Sequence, residues 1–81
     1  MKISVRWRVE SISGRQGDKI EAEIFQIANA DGKNVCVDYS ADEQGRFSGL
    51  YICEYHLRAD ISAQAYEDIC DFMTANGAIM I

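Results

Sequence analysis

The amino-acid sequence predicts an α+β domain of two layers, in which a four-stranded antiparallel β-meander carries one C-terminal helix packed on one face. Three observations support this prediction: an unbroken alternation of apolar and polar residues near the N-terminus, turn signals between further strand-like runs, and an apolar stripe with helical spacing near the C-terminus. The 81 residues contain no linker, repeat or low-complexity segment. We therefore expect a single domain over residues 1–81.

The first strand is the clearest element of the pattern. Residues 3–10 alternate between apolar and polar side chains, which places the apolar ones on one face of a sheet. A turn is expected at 13–18, where two glycines interrupt the pattern. We expect the apolar face of this strand to meet the helix and form the core. Its members are Ile3, Val5, Trp7 and Val9.

The second strand is predicted between Ile20 and Ile27. The first half of this stretch alternates apolar residues with glutamates, as a half-buried strand does. The alternation slips at Phe25, which a β-bulge would repair. The basic side chains of the first strand would then pair with Glu21 and Glu23.

Two more strands complete the predicted meander. Asp31-Gly32 favours a type I′ hairpin, because both residues tolerate positive φ. Val35–Tyr39 alternates as the third strand, and a polar loop leads to the fourth strand, Phe47–Leu57. Hairpin connections between successive strands indicate the meander order.

The C-terminal helix has signals at both ends. Asp60 or Ser62 can cap its start by accepting a hydrogen bond from the first turn, and Gly77 suits the position after its last turn. Apolar residues recur at helical spacing along one stripe, formed by Ile61, Ala65, Ile69, Phe72 and Met73. The apolar tail Ala78–Ile81 can form a short fifth strand or remain a loose anchor.

Composition indicates the environment of the protein. The net charge is −5 and 48% of the residues are apolar, as in a folded globular domain. No apolar run approaches the roughly 20 residues that span a bilayer, and the N-terminus has no signal-peptide pattern. The three cysteines are an odd number and are widely spaced, which is typical of reduced thiols. We therefore expect a cytoplasmic protein that does not bind membranes.

The chain has few residues suited to catalysis. Its one histidine, His56, follows Cys53 by three positions, so on a strand the two side chains would point to opposite faces and could not share a metal ion. No glycine-rich phosphate-binding loop is present. We therefore predict that the protein is not an enzyme and has no catalytic residues, no cofactor and no metal ion.

Two surfaces remain as candidates for binding another protein. Acidic residues on the outer side of the helix lie close enough to repel one another. They are Glu67, Asp68 and Asp71, with Asp42 and Glu43 as potential neighbours. The aromatic side of the fourth strand would add Tyr51 and Tyr55. These features predict a small acidic binding module, an inhibitor or adaptor, whose carboxylates can imitate nucleic-acid charge toward a nucleic-acid-handling protein. Small regulators of phages and mobile elements have this general character.

Two alternatives stay open. Arg6, Arg8 and Arg15 could hold nucleic acid, although Trp7 would face away from the two arginines of its strand. A structural homodimer is the other alternative, because the fourth strand has apolar residues on both faces and one helix covers only one of them. A second copy, the C-terminal tail or another partner would then cover the remaining face.

Overall fold

The computed structural model describes all 81 residues and confirms an α+β fold with a four-stranded antiparallel sheet. Its elements are, in chain order, β1 (Lys2–Ser13), α1 (Gly14–Asp31), β2 (Val35–Glu43), β3 (Leu50–Asp60), α2 (Ala63–Ala75) and β4 (Ile79–Met80). The strands lie in the order β2-β3-β1-β4, and each neighbouring pair is antiparallel.

The predicted meander order is wrong, and so is the single helix. α1 connects β1 to β2, and β3 lies between these two strands in the sheet. In the same way α2 connects β3 to β4, with β1 between them. Two interleaved β-α-β units of this kind form the split, ferredoxin-like arrangement. Because proteins of many functions share it, the arrangement alone indicates none of them.

β1 follows the predicted alternation and extends beyond it. Val5, Trp7 and Val9 are buried, while the polar residues between them lie on the other face. Pairing with β3 is irregular between Val9 and Ile12, where Ser11 has a φ of 60°. This bulge returns Ile12 to the side of the core, against which it packs.

The segment predicted as the second strand is part of α1. Its buried positions recur every three or four residues, which is the period of a helix with one apolar face. They are Gly17, Ile20, Ile24 and Ala28. The Oγ of Ser13 caps the helix by accepting a 3.1 Å hydrogen bond from the N–H of Gln16. Glu21 and Glu23 therefore belong to a helix and do not pair with β1, whose Arg8 pairs with β3 instead.

The Asp31-Gly32 step ends α1, so the predicted hairpin at this position is wrong. Gly32 has a φ of −101°, and positive φ is not the reason for glycine here. A Cβ at Gly32 would lie 2.5 Å from Cγ2 of Val35 and 2.6 Å from the carbonyl oxygen of Ala28. Close packing between the helix end and β2 therefore requires glycine. Asp31 links the two helices, since its Oδ2 accepts a 2.7 Å hydrogen bond from the N–H of Ser62.

The strands predicted at Val35–Tyr39 and Phe47–Leu57 form the β2–β3 hairpin. β2 extends to Glu43, and β3 begins and ends a few residues later than predicted. Gly45 and Gly49, in the connecting loop, have φ values of 82° and 66°. Glycine suits both positions because other residues seldom adopt this conformation.

α2 packs its apolar stripe against the core. The Oγ of Ser62 caps it by accepting a 3.1 Å hydrogen bond from the N–H of Ala65, so Ser62 is the cap and Asp60 ends β3. Phe72 is half-buried. The remaining stripe residues are buried: Ile61, Ala65, Ile69 and Met73.

The C-terminal tail joins the sheet as β4. Met80 lies opposite Trp7 of β1, and Ile79 lies opposite Arg8. This strand is the fourth and not a fifth, because the predicted second strand is a helix. It is short, so β1 is paired on this side only near its middle.

Both helices cover the same face of the sheet, and the core lies between them and the strands. Tyr55 is 1% exposed, and its hydroxyl donates a 2.9 Å hydrogen bond to the carbonyl oxygen of Gly17. Burial raises the pKa of Tyr55, so its phenol stays protonated. The other face of the sheet carries no helix, and we call it the open face.

Candidate functional surfaces

The net charge of the protein lies on its helices. α1 carries four acids and two bases, and α2 carries three acids and no base, so the two helices account for the whole charge of −5. The strands and loops carry six acids and six bases and are neutral together. We call the acids of the two helices the acidic helix surface: Asp18, Glu21, Glu23, Asp31, Glu67, Asp68 and Asp71.

The three acids of α2 have no cationic partner within the protein. Glu67, Asp68 and Asp71 are exposed, and all ion pairs involve other residues. Nε2 of Gln64 donates a 2.9 Å hydrogen bond to Oδ1 of Asp68, which orients that carboxylate without neutralising it. Like charges three or four residues apart on a helix cost about 0.2–0.5 kcal/mol per pair. A cation from outside the protein would relieve this repulsion.

The other residues predicted for the binding surface do not lie beside these acids. Asp42 and Glu43 are exposed on the edge strand β2, whose helix contacts are mainly with α1. Tyr51 is half-buried, and its ring lies against the backbone of Gly14. Tyr55 is buried in the core. The two tyrosines therefore do not form an exposed aromatic surface, and we leave them out of the proposed binding surface.

The open face is a polar surface with its charges mostly paired. Nε and Nη2 of Arg8 both donate to Oε1 of Glu54, at 3.1 and 3.0 Å. Nη2 of Arg58 donates to Oδ2 of Asp38 at 3.0 Å. Arg6 has no ion pair, and its carbonyl oxygen accepts a hydrogen bond from the tail. Of the three arginines on the open face, Arg6 is therefore the one whose charge is not balanced by a nearby acid.

The residues predicted for nucleic-acid binding are divided between the two layers. Arg6 and Arg8 lie on the open face, whereas Arg15 lies on α1. Trp7 is 3% exposed and belongs to the core. The open face of β1 and β3 carries no Phe, Tyr or Trp side chain on which a base could stack. Single-stranded nucleic acid would meet one unpaired arginine here and no stacking platform.

Sequence reasoning missed a group of polar side chains on the open face. Ser4, Asp38 and His56 come from three neighbouring strands, and the 2.8 Å contact between Ser4 and His56 spans more than half of the chain. No local spacing relates these residues, so only the register of the sheet could have revealed them. Cys53, the other residue of the sequence pair, is buried on the helix side.

The cysteines are all free thiols: Cys36 is exposed, Cys53 is buried and Cys70 is half-buried. No group of three or more His, Cys, Asp or Glu side chains is arranged to hold a metal ion. Neither helix has the length and apolar character needed to cross a membrane.

Comparisons with known proteins give no assignment. No family model matches the chain. Searches of the curated proteins and of the solved structures find no match either. A functional proposal must therefore rest on the surfaces of this chain alone.

Proposed function

We propose that the protein is a binding module, an inhibitor or adaptor, that docks onto a basic partner protein through the acidic helix surface. The observation that supports this proposal is the confinement of the entire net charge to the helices. Charge concentrated on one side produces a local potential that raises the association rate of an oppositely charged partner. If the partner handles nucleic acid, the carboxylates would occupy the places of phosphates. The proposal assigns no catalysis to this surface.

The test compares two variants of equal net charge. The helix variant removes the charges of α2 by the substitutions Glu67→Gln, Asp68→Asn and Asp71→Asn. The control variant removes three charges from the strands by Glu10→Gln, Asp42→Asn and Glu43→Gln. Partners would be captured from nuclease-treated source-cell lysate with the wild-type protein, and the captured protein would then be purified for binding kinetics.

We expect the helix variant to lower the association rate at least about tenfold at low salt, because charge steering acts mainly on this rate. The control variant should lower it much less. Neither variant should melt below the wild-type protein, and the helix variant should melt a few degrees higher because the repulsion along α2 is gone. The effect should shrink as salt shortens the screening length. Equal losses in the two variants, or unaltered binding by the helix variant, would contradict the proposal.

A homodimer is the second candidate, and the edge strand β4 favours it. Ile79, Met80 and Ile81 are 61%, 54% and 52% exposed, and β4 has no partner on its outer side. Uncharged apolar edges invite pairing with another strand, whereas the acids of the opposite edge strand, β2, discourage it. Sedimentation equilibrium over a range of concentrations tests this candidate. A dimer that Met80→Lys dissociates would support it, and a monomer at all concentrations would reject it.

A further inference from the structure

The open face aligns a serine, a histidine and an aspartate from three neighbouring strands. Ser4 lies on β1, His56 on β3 and Asp38 on β2, and register places His56 directly opposite Asp38. Oγ of Ser4 is 2.8 Å from Nε2 of His56. The other ring nitrogen, Nδ1, is 3.9 Å from Oδ2 of Asp38. One imidazole nitrogen thus faces a hydroxyl and the other faces a carboxylate.

We propose that Ser4 is a nucleophile activated by His56, with Asp38 as the positioning residue of the imidazole. A serine hydroxyl is a weak nucleophile unless an adjacent base takes its proton. The 2.8 Å separation is a hydrogen-bond distance, so His56 is placed to do so. The 3.9 Å separation is longer than a hydrogen bond, and such contacts are often loose before a substrate binds. This role is independent of the proposed binding function, since none of the three residues belongs to the acidic helix surface.

Two arginines beside Ser4 define the class of substrate. Arg58 lies opposite Ser4 in the β1–β3 register, and Arg6 lies opposite His56. Arg58 contacts Asp38 and Cys36 through Nη2, while a guanidinium has five N–H donors in all. Donors in this position can stabilise the oxyanion that forms when a carbonyl is attacked. We therefore assign a small carboxylic ester with an anionic group as the substrate class.

The proposed reaction uses only these side chains and water. Oγ of Ser4 attacks the ester carbonyl carbon while Nε2 of His56 takes the hydroxyl proton. The bond to the alcohol oxygen breaks, and His56 returns the proton to the departing alcohol. Water then attacks the acyl-serine with His56 again as base, which releases the carboxylic acid and restores the hydroxyl of Ser4.

A fluorophosphonate probe tests the nucleophile directly. With this probe the bond between Oγ and phosphorus forms, the phosphorus–fluorine bond breaks, and the serine proton leaves through His56. We expect one label per chain, located on Ser4 by peptide mass spectrometry. Ser4→Ala should abolish labelling and His56→Gln should slow it at least about a hundredfold, the lower end of the effects of a general base. The matched control is Ser40→Ala, which removes a serine of the open face that lies opposite Glu54 and makes no hydrogen bond with His56.

The role of Asp38 has its own readout. Asp38→Asn should slow labelling several-fold, and Asp38→Glu should restore part of the rate, which a merely structural role would not predict. The helix variant, which lacks the charges of α2, should label at the wild-type rate. The labelling test can therefore fail while the binding function holds, and the binding test can fail while Ser4 is labelled. Absence of a label, a label on another residue, or wild-type labelling by His56→Gln would overturn the proposal. Melting curves confirm that each variant is folded, and His56→Asn replaces His56→Gln if the latter is not.

Discussion

Adding one methyl group at Gly17 tests how closely α1 packs against the sheet. In an open helical site, replacing glycine by alanine stabilises a protein by about 0.5–1 kcal/mol. At Gly17 the new Cβ would lie 2.5 Å from Oη of Tyr39 and 2.8 Å from Sγ of Cys53. Overpacking of this kind costs about 1–3 kcal/mol. We therefore expect Gly17→Ala to lower the free energy of unfolding by about 1–2 kcal/mol, or roughly 5–15 °C in melting temperature.

Urea denaturation followed by circular dichroism measures this change. Gly14→Ala is the matched control, because a Cβ there would meet the ring of Tyr51 at an ordinary 3.4 Å. Adding Tyr39→Phe to Gly17→Ala should recover part of the loss, since it removes the hydroxyl that the methyl group overlaps. If Gly17→Ala stabilises the protein as the control does, the close approach of α1 to the sheet is refuted.

Three further predictions concern single contacts. Arg8 and Glu54 are 40% and 44% exposed in their ion pair, so a double-mutant cycle in urea should give a coupling of about 0.2–1 kcal/mol that decreases at high salt; a salt-independent coupling would contradict this. Ser62→Ala removes the cap of α2 and should cost about 1 kcal/mol in thermal unfolding, while an unchanged melting temperature would show that the cap contributes nothing. Hydrogen bonds from Ser62 hold the pKa of Asp31 below its ordinary value of 3.8. The stability from this lowered pKa is therefore present above that value and is lost as the pH falls through the lower folded-state pKa. Asp31→Asn should flatten this part of the pH dependence in urea denaturation, and an unchanged slope would argue against the contact.

The accuracy of the sequence prediction differed between elements for physical reasons. β1 was predictable because strict alternation fits a strand and no helix. The same method failed for α1, because Ile20 and Ile24 fit both an alternating strand and a helix face. The need for a bulge at Phe25 indicated that the two-residue period of a strand does not fit this segment. The correct signal was the pair Ser13 and Gln16, a capping pattern that starts a helix.

The candidate surfaces were predictable only in part. The exposed position of Glu67, Asp68 and Asp71 follows from helical spacing, which also gave the buried stripe of α2. The burial of Tyr55 does not follow, because the sequence pattern predicts a strand in place of α1, the helix that covers this residue. Ser4 and His56 come together only through the register between β1 and β3. That register depends on long-range packing, which local sequence patterns do not encode.

Charge confined to one layer makes the protein an electric dipole directed across the sheet. Such a molecule rotates as it comes within about 8–10 Å, one screening length, of an oppositely charged surface. Collisions would therefore occur more often with the helices toward the partner than with the strands toward it. In the resulting complex the strands would point outward, so Ser4 and His56 would remain accessible to small molecules while the helices are occupied.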